Sequence, residues 1–464
     1  MPERITINPV TRISGFMEIQ ADIENNIIID AKTKGIMFRG FEKMLMGRNP
    51  FDAVYFTERI CGICSTAHAM ASTIALENVM GIVPSEQGRY LRDIVHGCEF
   101  LQNHLRHFFQ FTIPDFVKMP EEYPLFKSDE RDFRLPKEKN DRMVKDYFDS
   151  LEYSRNAHQM LAILGGKAPH NHGIFIGGIT TQATADMIIS ILSILTGIGN
   201  FIEERMIPDI YEIGDYYPEY YKIGGGYGNL LSYGCFDNYL SLGTLYVDPL
   251  VYTNNTTTLF NPNNITQEVD YSYFKDNVNN EYQETDILKE KAYSFIKAPR
   301  YNNIPYEVGP LARQWLSGEY RNGISTMDRL IARVLEAKKI VSVMKILLQN
   351  LIPGTDVQKV YEIPKAGAGK GLIDTTRGAL GHWITIKDSK ILLYQIITPS
   401  AWNLSSQSVD NMKGTAEQTL IGTPVKDTTA PAEIVRTIRS FDPCVSCATH
   451  VYTRGNLVYS KQFI

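Results

Sequence analysis

Four of the six cysteines in this 464-residue chain form two Cys-x-x-Cys pairs near its opposite ends. Cys61 and Cys64 form the first pair, and Cys444 and Cys447 form the second. Four thiolates brought together favour soft transition metals. A local zinc module places its second pair within about 15–20 residues of the first. These two pairs are much farther apart, so only the complete fold could assemble a single site from them.

Either pair alone could also be a redox dithiol, half of a structural zinc site, or a chance occurrence. A histidine follows each pair, however: His68 lies four residues after the first and His450 three residues after the second. A histidine this close to a Cys-x-x-Cys pair is typical of metal-binding sites. The remaining cysteines, Cys98 and Cys235, are isolated in the sequence, and we expect both to be small, buried apolar residues.

Composition and charge exclude several classes of protein. Hydrophobic residues make up 44% of the chain and charged residues 21%, which is typical of a soluble globular protein. The formal charge of −5 disfavours nonspecific nucleic-acid binding, which requires a basic surface. Six cysteines in a chain of this length do not indicate a disulfide scaffold.

The sequence predicts neither a leader nor a membrane span. Residues 1–4 are not a basic region followed by an apolar stretch, so we expect no signal peptide. The longest uncharged apolar stretch, residues 187–202, contains serines, glycines, a threonine and an asparagine. It is too short and too polar for a span, and we expect a buried core helix. Any attachment to a membrane would then come from a partner.

The first cysteine pair lies between a predicted sheet and a predicted helix. Alternating apolar and polar residues over 5–36 predict a short antiparallel sheet. Helical periodicity begins at Ser65 and continues to about Met80, with Gly81 as a C-cap. Cys64 would therefore lie at a helix N-terminus, where the helix dipole stabilises a thiolate.

The rest of the chain predicts one α+β unit with a core of long helices and small peripheral sheets. Residues 224–310 are rich in Gly, Tyr, Asn and Pro, which favours irregular loops and short strands. Residues 366–371 resemble part of a phosphate loop but lack its Ser or Thr and its first glycine, so we expect a flexible loop. The other predicted long helices are one from about Ser85 and those at 143–165, 180–207 and 325–350.

The two cysteine motifs and several stretches between them resemble the large subunit of nickel–iron hydrogenases. The resemblance covers essentially the whole chain. Residues 58–64 with His68 are similar to the first signature of that family, and residues 442–447 with His450 to the second. Other family-like stretches are 39–42, 165–170, 297–301, 307–313, 377–383 and 399–403. The resemblance implies a catalytic domain over residues 1–450.

The resemblance implies nickel held by all four thiolates. Cys64 and Cys447 are expected to bridge to a low-spin iron that carries carbon monoxide and cyanide, while Cys61 and Cys444 bind nickel terminally. Splitting dihydrogen requires a soft metal and a nearby base. A terminal thiolate such as Cys444 can be that base, because the metal keeps it anionic.

Further roles follow from the same resemblance. Arg377 is similar to the family arginine whose guanidinium lies over the open nickel position, and Asp442 is expected to pair with it and orient it. The alternative for Arg377 is a buried structural arginine. His68 is expected to donate a hydrogen bond to a bridging sulfur.

Two more groups of residues match ligand-binding stretches of the family. Those around the iron diatomics are Thr398, Pro399 and Ser400, with Ser400 able to donate to a cyanide. Those of a magnesium site are Glu42, His450 and the carbonyl of Ile396.

Three positions depart from the family pattern. Ser14 stands where most relatives have a glutamate that relays protons from a terminal cysteine. A serine can pass a proton along but cannot hold one as a carboxylate does, so the usual proton route is in doubt. Asn103 stands where many relatives have an aspartate near the active-site arginine, and Thr376 replaces a common proline.

Partners follow from what the chain lacks. Only Cys98 and Cys235 remain outside the two pairs, too few for an iron–sulfur cluster. Electrons must therefore leave through another protein, and the family's is an iron–sulfur small subunit, which implies an obligate heterodimer. Residues 451–464 match a tail that an endopeptidase removes after nickel-insertion proteins have acted. The alternative for this tail is a C-terminal strand.

The sequence therefore predicts a hydrogenase catalytic subunit of the respiratory or uptake type, which oxidises dihydrogen reversibly. We expect it to be membrane-associated through its partner, exported with it and linked to a membrane cytochrome; a cytoplasmic enzyme is the alternative. A hydrogen sensor is disfavoured by the tail. A complex I quinone-site subunit is disfavoured by the cysteine pairs. A noncatalytic structural protein would bind only zinc.

Overall fold

Long helices dominate this computed structural model, which describes residues 2–121, 131–276 and 282–448, except the side chains of Cys447 and Ala448. The α-helices are α1 (Phe41–Leu45), α2 (Asp52–Glu58), α3 (Ser65–Met80), α4 (Glu86–Arg106), α5 (Ile113–Phe116), α6 (Lys137–Gly165), α7 (Ala185–Phe201), α8 (Ile207–Tyr216), α9 (Pro310–Ser317), α10 (Thr326–Gln349), α11 (Pro399–Asn403), α12 (Thr415–Leu420), α13 (Ala432–Ser440) and α14 (Val445–Ala448). Two π-helical turns are His107–Thr112 and Ile202–Met206.

Small antiparallel sheets surround the helices, and this confirms the predicted α+β class. The strands are β1 (Glu3–Ile7), β2 (Met17–Glu24), β3 (Ile27–Gly35), β4 (Ile174–Phe175), β5 (Gly178–Ile179), β6 (Leu230–Cys235), β7 (Val247–Thr253), β8 (Thr256–Leu259), β9 (Ile265–Glu268), β10 (Ala298–Tyr301), β11 (Ala366–Thr375), β12 (Gly378–Lys387) and β13 (Lys390–Ile397). Three sheets have three strands each, in the orders β1-β2-β3, β6-β7-β8 and β11-β12-β13. The first is the sheet predicted over residues 5–36.

Helix α4 forms the centre of the core, where it packs against α3, α6 and α10. The Ser85 hydroxyl accepts from the Gly88 amide and so caps the start of α4. Ser325 caps α10 in the same way through Asp328. Cys98 on α4 and Cys235 on β6 are both buried, as expected. The helix predicted at 143–165 begins earlier than expected, at Lys137. The prediction missed its first residues because they face solvent and have no apolar periodicity.

The helix predicted at residues 187–202 is present, but the expectation that it is buried is wrong. Helix α7 buries one face, with Ile191, Leu195 and Ile198, but Ile189 is 65% exposed. The absence of charge in this stretch does not reflect burial, because small polar residues occupy much of the exposed face. The continuous helical segment Ala185–Tyr216 is long and apolar enough to cross a membrane by length and composition, with 33% of its most apolar window buried. Core helices of soluble proteins meet the same criterion.

The expectation of a flexible loop at residues 366–371 is also wrong, because these residues begin strand β11. The strand lies directly against helix α3. A Cβ on Gly371 would lie 1.9 Å from the carbonyl oxygen of Ala71, and one on Gly369 would lie 2.5 Å from that of Ala75. The glycines therefore allow close helix–strand packing, which the sequence pattern alone does not distinguish from flexibility.

A buried charge cluster joins α9, α10 and β11. Arg313 donates to both carboxylate oxygens of Glu336 at 2.7 Å and lies 3.4 Å from Asp374. His104 Nε2 is 2.8 Å from Glu336. Burial alone would raise the pKa of Glu336, but the charge and hydrogen bonds of Arg313 outweigh it and hold that pKa well below its usual value. This contribution to stability is therefore present at neutral pH and is lost as the pH falls below the usual range for glutamate.

Replacing Arg313 by methionine should destabilise the fold by about 3–5 kcal/mol, because it leaves the buried carboxylate of Glu336 without its cation. Chemical unfolding of the purified chain measures this free energy. Arg155 is the control, since its side chain is 72% exposed beside Glu152. Arg155→Met should change stability by no more than about 0.5 kcal/mol. Equal effects of the two substitutions would contradict a structural role for the cluster.

Candidate metal centre

Three cysteine sulfurs from the two ends of the chain meet in the core. The Sγ atoms of Cys61, Cys64 and Cys444 lie within 4.8 Å of one another, and all three residues are buried. The sulfurs of Cys61 and Cys444 are 3.3 Å apart. The fourth predicted ligand, the Cys447 side chain, lies outside the described residues, as does His450.

The first pair lies in the turn between α2 and α3. Cys64 is the N-cap residue of α3, so the structure confirms its predicted position at a helix N-terminus. The Ile63 amide donates to Cys61 Sγ at 3.4 Å. An amide donor and a helix N-terminus both stabilise negative charge on sulfur.

The second pair is held by the loop before β2. Ser14 forms a parallel bridge with Cys444: the Ser14 amide donates to the Pro443 carbonyl at 3.1 Å, and the Val445 amide donates to the Ser14 carbonyl at 2.7 Å. Gly15 follows with φ +87°, and a Cβ there would lie 2.5 Å from the Ser446 amide nitrogen. This close approach requires glycine.

Substituting Gly15 by alanine should introduce about 1–3 kcal/mol of strain. Moving the loop away from Ser446 relieves this strain but displaces Cys444, so the metal bound by the protein should fall at least about twofold. Elemental analysis of the purified protein measures the change. Gly47→Ala is the matched control, because Gly47 has φ +80° but nothing within 4 Å of its added Cβ. Equal metal loss in both variants would show that backbone strain, not the contact with Ser446, is responsible.

Arg377 lies close to the thiols, and hydrogen bonds from two of its three guanidinium nitrogens hold it in place. Its Nε donates to the Asp442 carbonyl at 2.9 Å, and its Nη2 donates to the Asp442 carboxylate at 3.0 Å and to Asn103 at 2.8 Å. Its buried Nη1 has no hydrogen-bond partner among the described residues. One guanidinium nitrogen is therefore available to a group in the space beside the sulfurs.

Asp442 is fixed as an anion. Its other carboxylate oxygen accepts from Asn103 at 2.7 Å and from Arg333 at 3.3 Å. Burial would raise the pKa of Asp442, but Arg377 and the other cations around it hold that pKa well below its usual value. Asp442 can therefore orient Arg377 and stays charged while doing so.

A small cavity borders the thiols and brings most of the predicted site residues together. Its lining includes Cys64, Cys444, His68, Arg377, Pro399 and Ser400. Ser400 Oγ accepts from the Cys444 amide at 3.0 Å, which leaves its own hydroxyl hydrogen free to donate. Thr398 does not line this cavity, and its hydroxyl caps α11 at the Ala401 amide.

His68 begins a series of buried side-chain hydrogen bonds that the sequence did not predict. Its Nδ1 is 3.1 Å from Nε2 of His382, whose Nδ1 is 2.8 Å from the Tyr394 hydroxyl. Burial lowers the pKa of His68 to about 4, so the ring is neutral. His382 lies in a family-like stretch, but only the register of β12 with β13 brings it between His68 and Tyr394.

The residues predicted for magnesium are only partly assembled in the described chain. Glu42 accepts from the amide of Ile396 at 2.9 Å, whose carbonyl was the predicted ligand. Its other oxygen lies 3.4 Å from Lys297 Nζ.

The donor set fits a soft metal ion. Three buried thiol sulfurs within bonding range of a common point, next to a cationic guanidinium, suit nickel or another thiophilic metal rather than magnesium or calcium.

Comparisons with known proteins show which proteins the chain is similar to. The profile of a family described as nickel-dependent hydrogenase matches residues 39–125, 124–323 and 316–450. The chain is 33% identical to the periplasmic [NiFeSe] hydrogenase large subunit of Desulfomicrobium baculatum, over 97% of this chain and 95% of that protein. It is 29% identical to the hydrogenase-2 large chain of Escherichia coli K12, over 100% of both. The structure of the reduced Ni-Fe-Se hydrogenase of D. vulgaris Hildenborough superimposes with a TM-score of 0.93 at 34% identity, over 97% of this chain and 100% of that one.

Proposed function

The chain belongs to the nickel-dependent hydrogenase family as a large, catalytic subunit, and from this we infer that its thiol cluster holds a nickel–iron centre for reversible dihydrogen oxidation. The observation that carries the proposal is the meeting of three sulfurs within 4.8 Å, beside an arginine nitrogen with no described partner. Cys61, Cys64, Cys444 and Cys447 would hold nickel. Cys64 and Cys447 would be shared with an iron that carries carbon monoxide and cyanide.

When bound, a soft nickel ion would supply the Lewis acidity that polarises dihydrogen. The chain's own residues supply positioning and charge. Arg377 would direct Nη1 to the cavity and stabilise negative charge there, and Asp442 fixes its direction. The Ser400 hydroxyl would donate to a cyanide of the iron, and His68 would donate to a sulfur shared by the two metals. Pro399 would pack against the iron's ligands, and Thr398 holds this turn in place by capping α11.

A sulfur-only ligand set distinguishes this chain from relatives whose names include selenium. The sequence has cysteine at all four motif positions. We therefore assign nickel coordination to four cysteine thiolates. Selenium analysis beside nickel analysis on the same sample tests this assignment, with selenium expected to be absent.

Magnesium and processing are further parts of the proposal. Glu42, His450 and the Ile396 carbonyl would form the magnesium site, and the buried Glu42 carboxylate beside Ile396 supports it. Residues 451–464 would be removed after nickel insertion, leaving His450 as the C-terminus of domain 1–450. The family profile match ends at residue 450, which supports this boundary.

Electrons would leave through an iron–sulfur small subunit. The relatives are named as large subunits or large chains, and one of them is named periplasmic. These names support a heterodimer that is exported with its partner. Maturation by nickel-insertion proteins and an endopeptidase, and a link to a membrane cytochrome through the complex, are further parts of the proposal.

Infrared spectroscopy of the complex from its native host, with nickel and iron quantified, tests the proposal directly. We expect carbon monoxide and cyanide bands with one nickel per chain, and a mass that lacks residues 451–464. Zinc without those bands, in material confirmed to be processed, would contradict the proposal.

A further inference from the structure

A hydrogenase must move protons away from its buried thiols. Ser14, which lies beside Cys61, cannot hold a proton. Ser14 Oγ lies 3.9 Å from Cys61 Sγ, and a hydroxyl can pass a proton on but does not store it near neutral pH. Asp442 is the carboxylate nearest Arg377, but it is locked as an anion between Arg377 and Arg333. Neither Ser14 nor Asp442 can therefore hold a proton on its way from the thiols to water.

Glu99 on α4 lies directly behind the cavity wall. Its carboxylate is buried and accepts from the amide of Thr66 at 2.7 Å and from that of Ala67 at 3.1 Å. These amides are in the first turn of α3, which begins immediately after Cys64. Cys64 and Ala67 both line the cavity. Glu99 is thus fixed to the same helical turn that positions the thiols.

The charge environment of Glu99 allows it to gain and lose a proton. No described residue forms an ion pair with it. Burial raises its pKa to about 8, the amides of Thr66 and Ala67 act in the opposite direction, and negative charge on Cys61 raises it further. Arg106, two turns later on α4, interacts electrostatically with Glu99, but donates instead to the amide oxygen of Gln102 at 2.9 Å.

We propose that Glu99 is the proton acceptor of this hydrogenase, in the role that Ser14 cannot perform. The proposal rests on the proposed function. Oxidation of dihydrogen releases two protons and two electrons, and the electrons leave through the partner subunit. Glu99 carries the two protons one after the other: each forms an O–H bond on its carboxylate and is then lost to water, which regenerates the carboxylate before the next proton arrives.

The outward side of Glu99 leads to a polar loop. Its neighbour Thr66 has a hydroxyl that accepts from Asn171 Nδ2 at 3.4 Å. Asn171 is followed by His172, which is exposed at the surface. Thr66 therefore lies between the carboxylate and a loop that reaches solvent.

Glu58 provides a matched control. It is buried, and burial raises its pKa to about 8, as for Glu99. It differs in having a cation, Arg59, at 3.3 Å, and Cys61 is not among the groups that shift its pKa. The two glutamates thus share burial and protonation behaviour but differ in electrostatic contact with the thiols.

The test compares Glu99→Gln, Glu58→Gln and the double variant Glu99→Gln/Ser14→Glu in the assembled complex. All three should retain nickel and iron. Each single variant should lose one infrared band of a buried protonated carboxyl. Only Glu99→Gln should slow hydrogen–deuterium exchange, by about 100-fold. The double variant should recover most of that loss, because residue 14 lies next to Cys61, and a purely structural role for Glu99 would not be rescued there.

Full exchange in Glu99→Gln, or an equal loss in Glu58→Gln, would overturn the proposal. If Glu99→Gln does not retain its metals, Glu99→Asp decides, since it keeps the carboxyl but moves it away; unchanged exchange in that variant would also overturn the proposal. Failure of the proposed function looks different, because the wild-type complex itself would then lack the diatomic infrared bands and the exchange activity.

Discussion

Replacing Cys444 by serine should reduce bound nickel to less than about one-tenth of the wild-type level while the fold persists. A serine hydroxyl is a hard donor that stays protonated near neutral pH, so a soft metal loses one of its ligands. Cys444 also lies only 3.3 Å from Cys61, so its loss removes one of the two C-terminal thiols that would bind the metal together with the first pair. Elemental analysis measures the nickel, and circular dichroism shows whether the helices remain.

Cys98→Ala is the control for this substitution. Cys98 is a fully buried thiol on α4 outside the cluster. Its loss should cost about 1 kcal/mol of packing and leave the nickel content unchanged. Normal nickel content in Cys444→Ser, or equal losses in the two variants, would show that the three described sulfurs do not form the metal site.

Changing Arg377 to lysine should lower dihydrogen oxidation by about 100- to 1,000-fold, with nickel and iron retained. The guanidinium bonds to the Asp442 carbonyl, the Asp442 carboxylate and Asn103, and still leaves Nη1 without a partner among the described residues. A lysine ammonium is a compact charge on a flexible side chain. It cannot make these hydrogen bonds and also offer a fixed nitrogen to a group in the cavity. Turnover at saturating dihydrogen measures the loss, and the infrared bands report whether the centre is intact.

A buried arginine elsewhere controls for general damage. Arg329 pairs with Glu307 at 2.7 Å and does not line the cavity. Arg329→Lys should lower stability yet leave the turnover of the folded fraction close to wild type. If Arg377→Lys retained full turnover, Arg377 would be a structural arginine, the alternative that the sequence left open.

The sequence predicted well what depends on local chemistry. The small residues, cysteine spacing and helical period around Cys64 place it at the start of α3, and the structure confirms that position. The glycines of β11 and the exposed face of α7 were misjudged, because close packing and one-sided burial depend on neighbours distant in the chain. The roles of the predicted site residues, including Glu42, Cys447 and His450, stay predictions.

Contacts that depend on register were beyond the sequence. Glu99 has no motif of its own, and its placement behind the thiols follows from how α4 packs on α3. His382 and Tyr394 come together with His68 only when β12 and β13 pair in the observed register. The only feature of the sequence that could have indicated these residues is a polar side chain in a helix or strand that is otherwise buried.

The bridge between Ser14 and Cys444 can form only late in protein synthesis. The N-terminal loop and the first cysteine pair leave the ribosome early, but the segment around Cys444 that they contact is among the last made. At about 5–20 residues per second, Cys61 and Cys64 wait roughly 20–80 s before Cys444 exists. During that interval the nascent chain presents a two-thiol half-site, so the cell must either keep competing metal ions away from it or accept chains loaded with the wrong one.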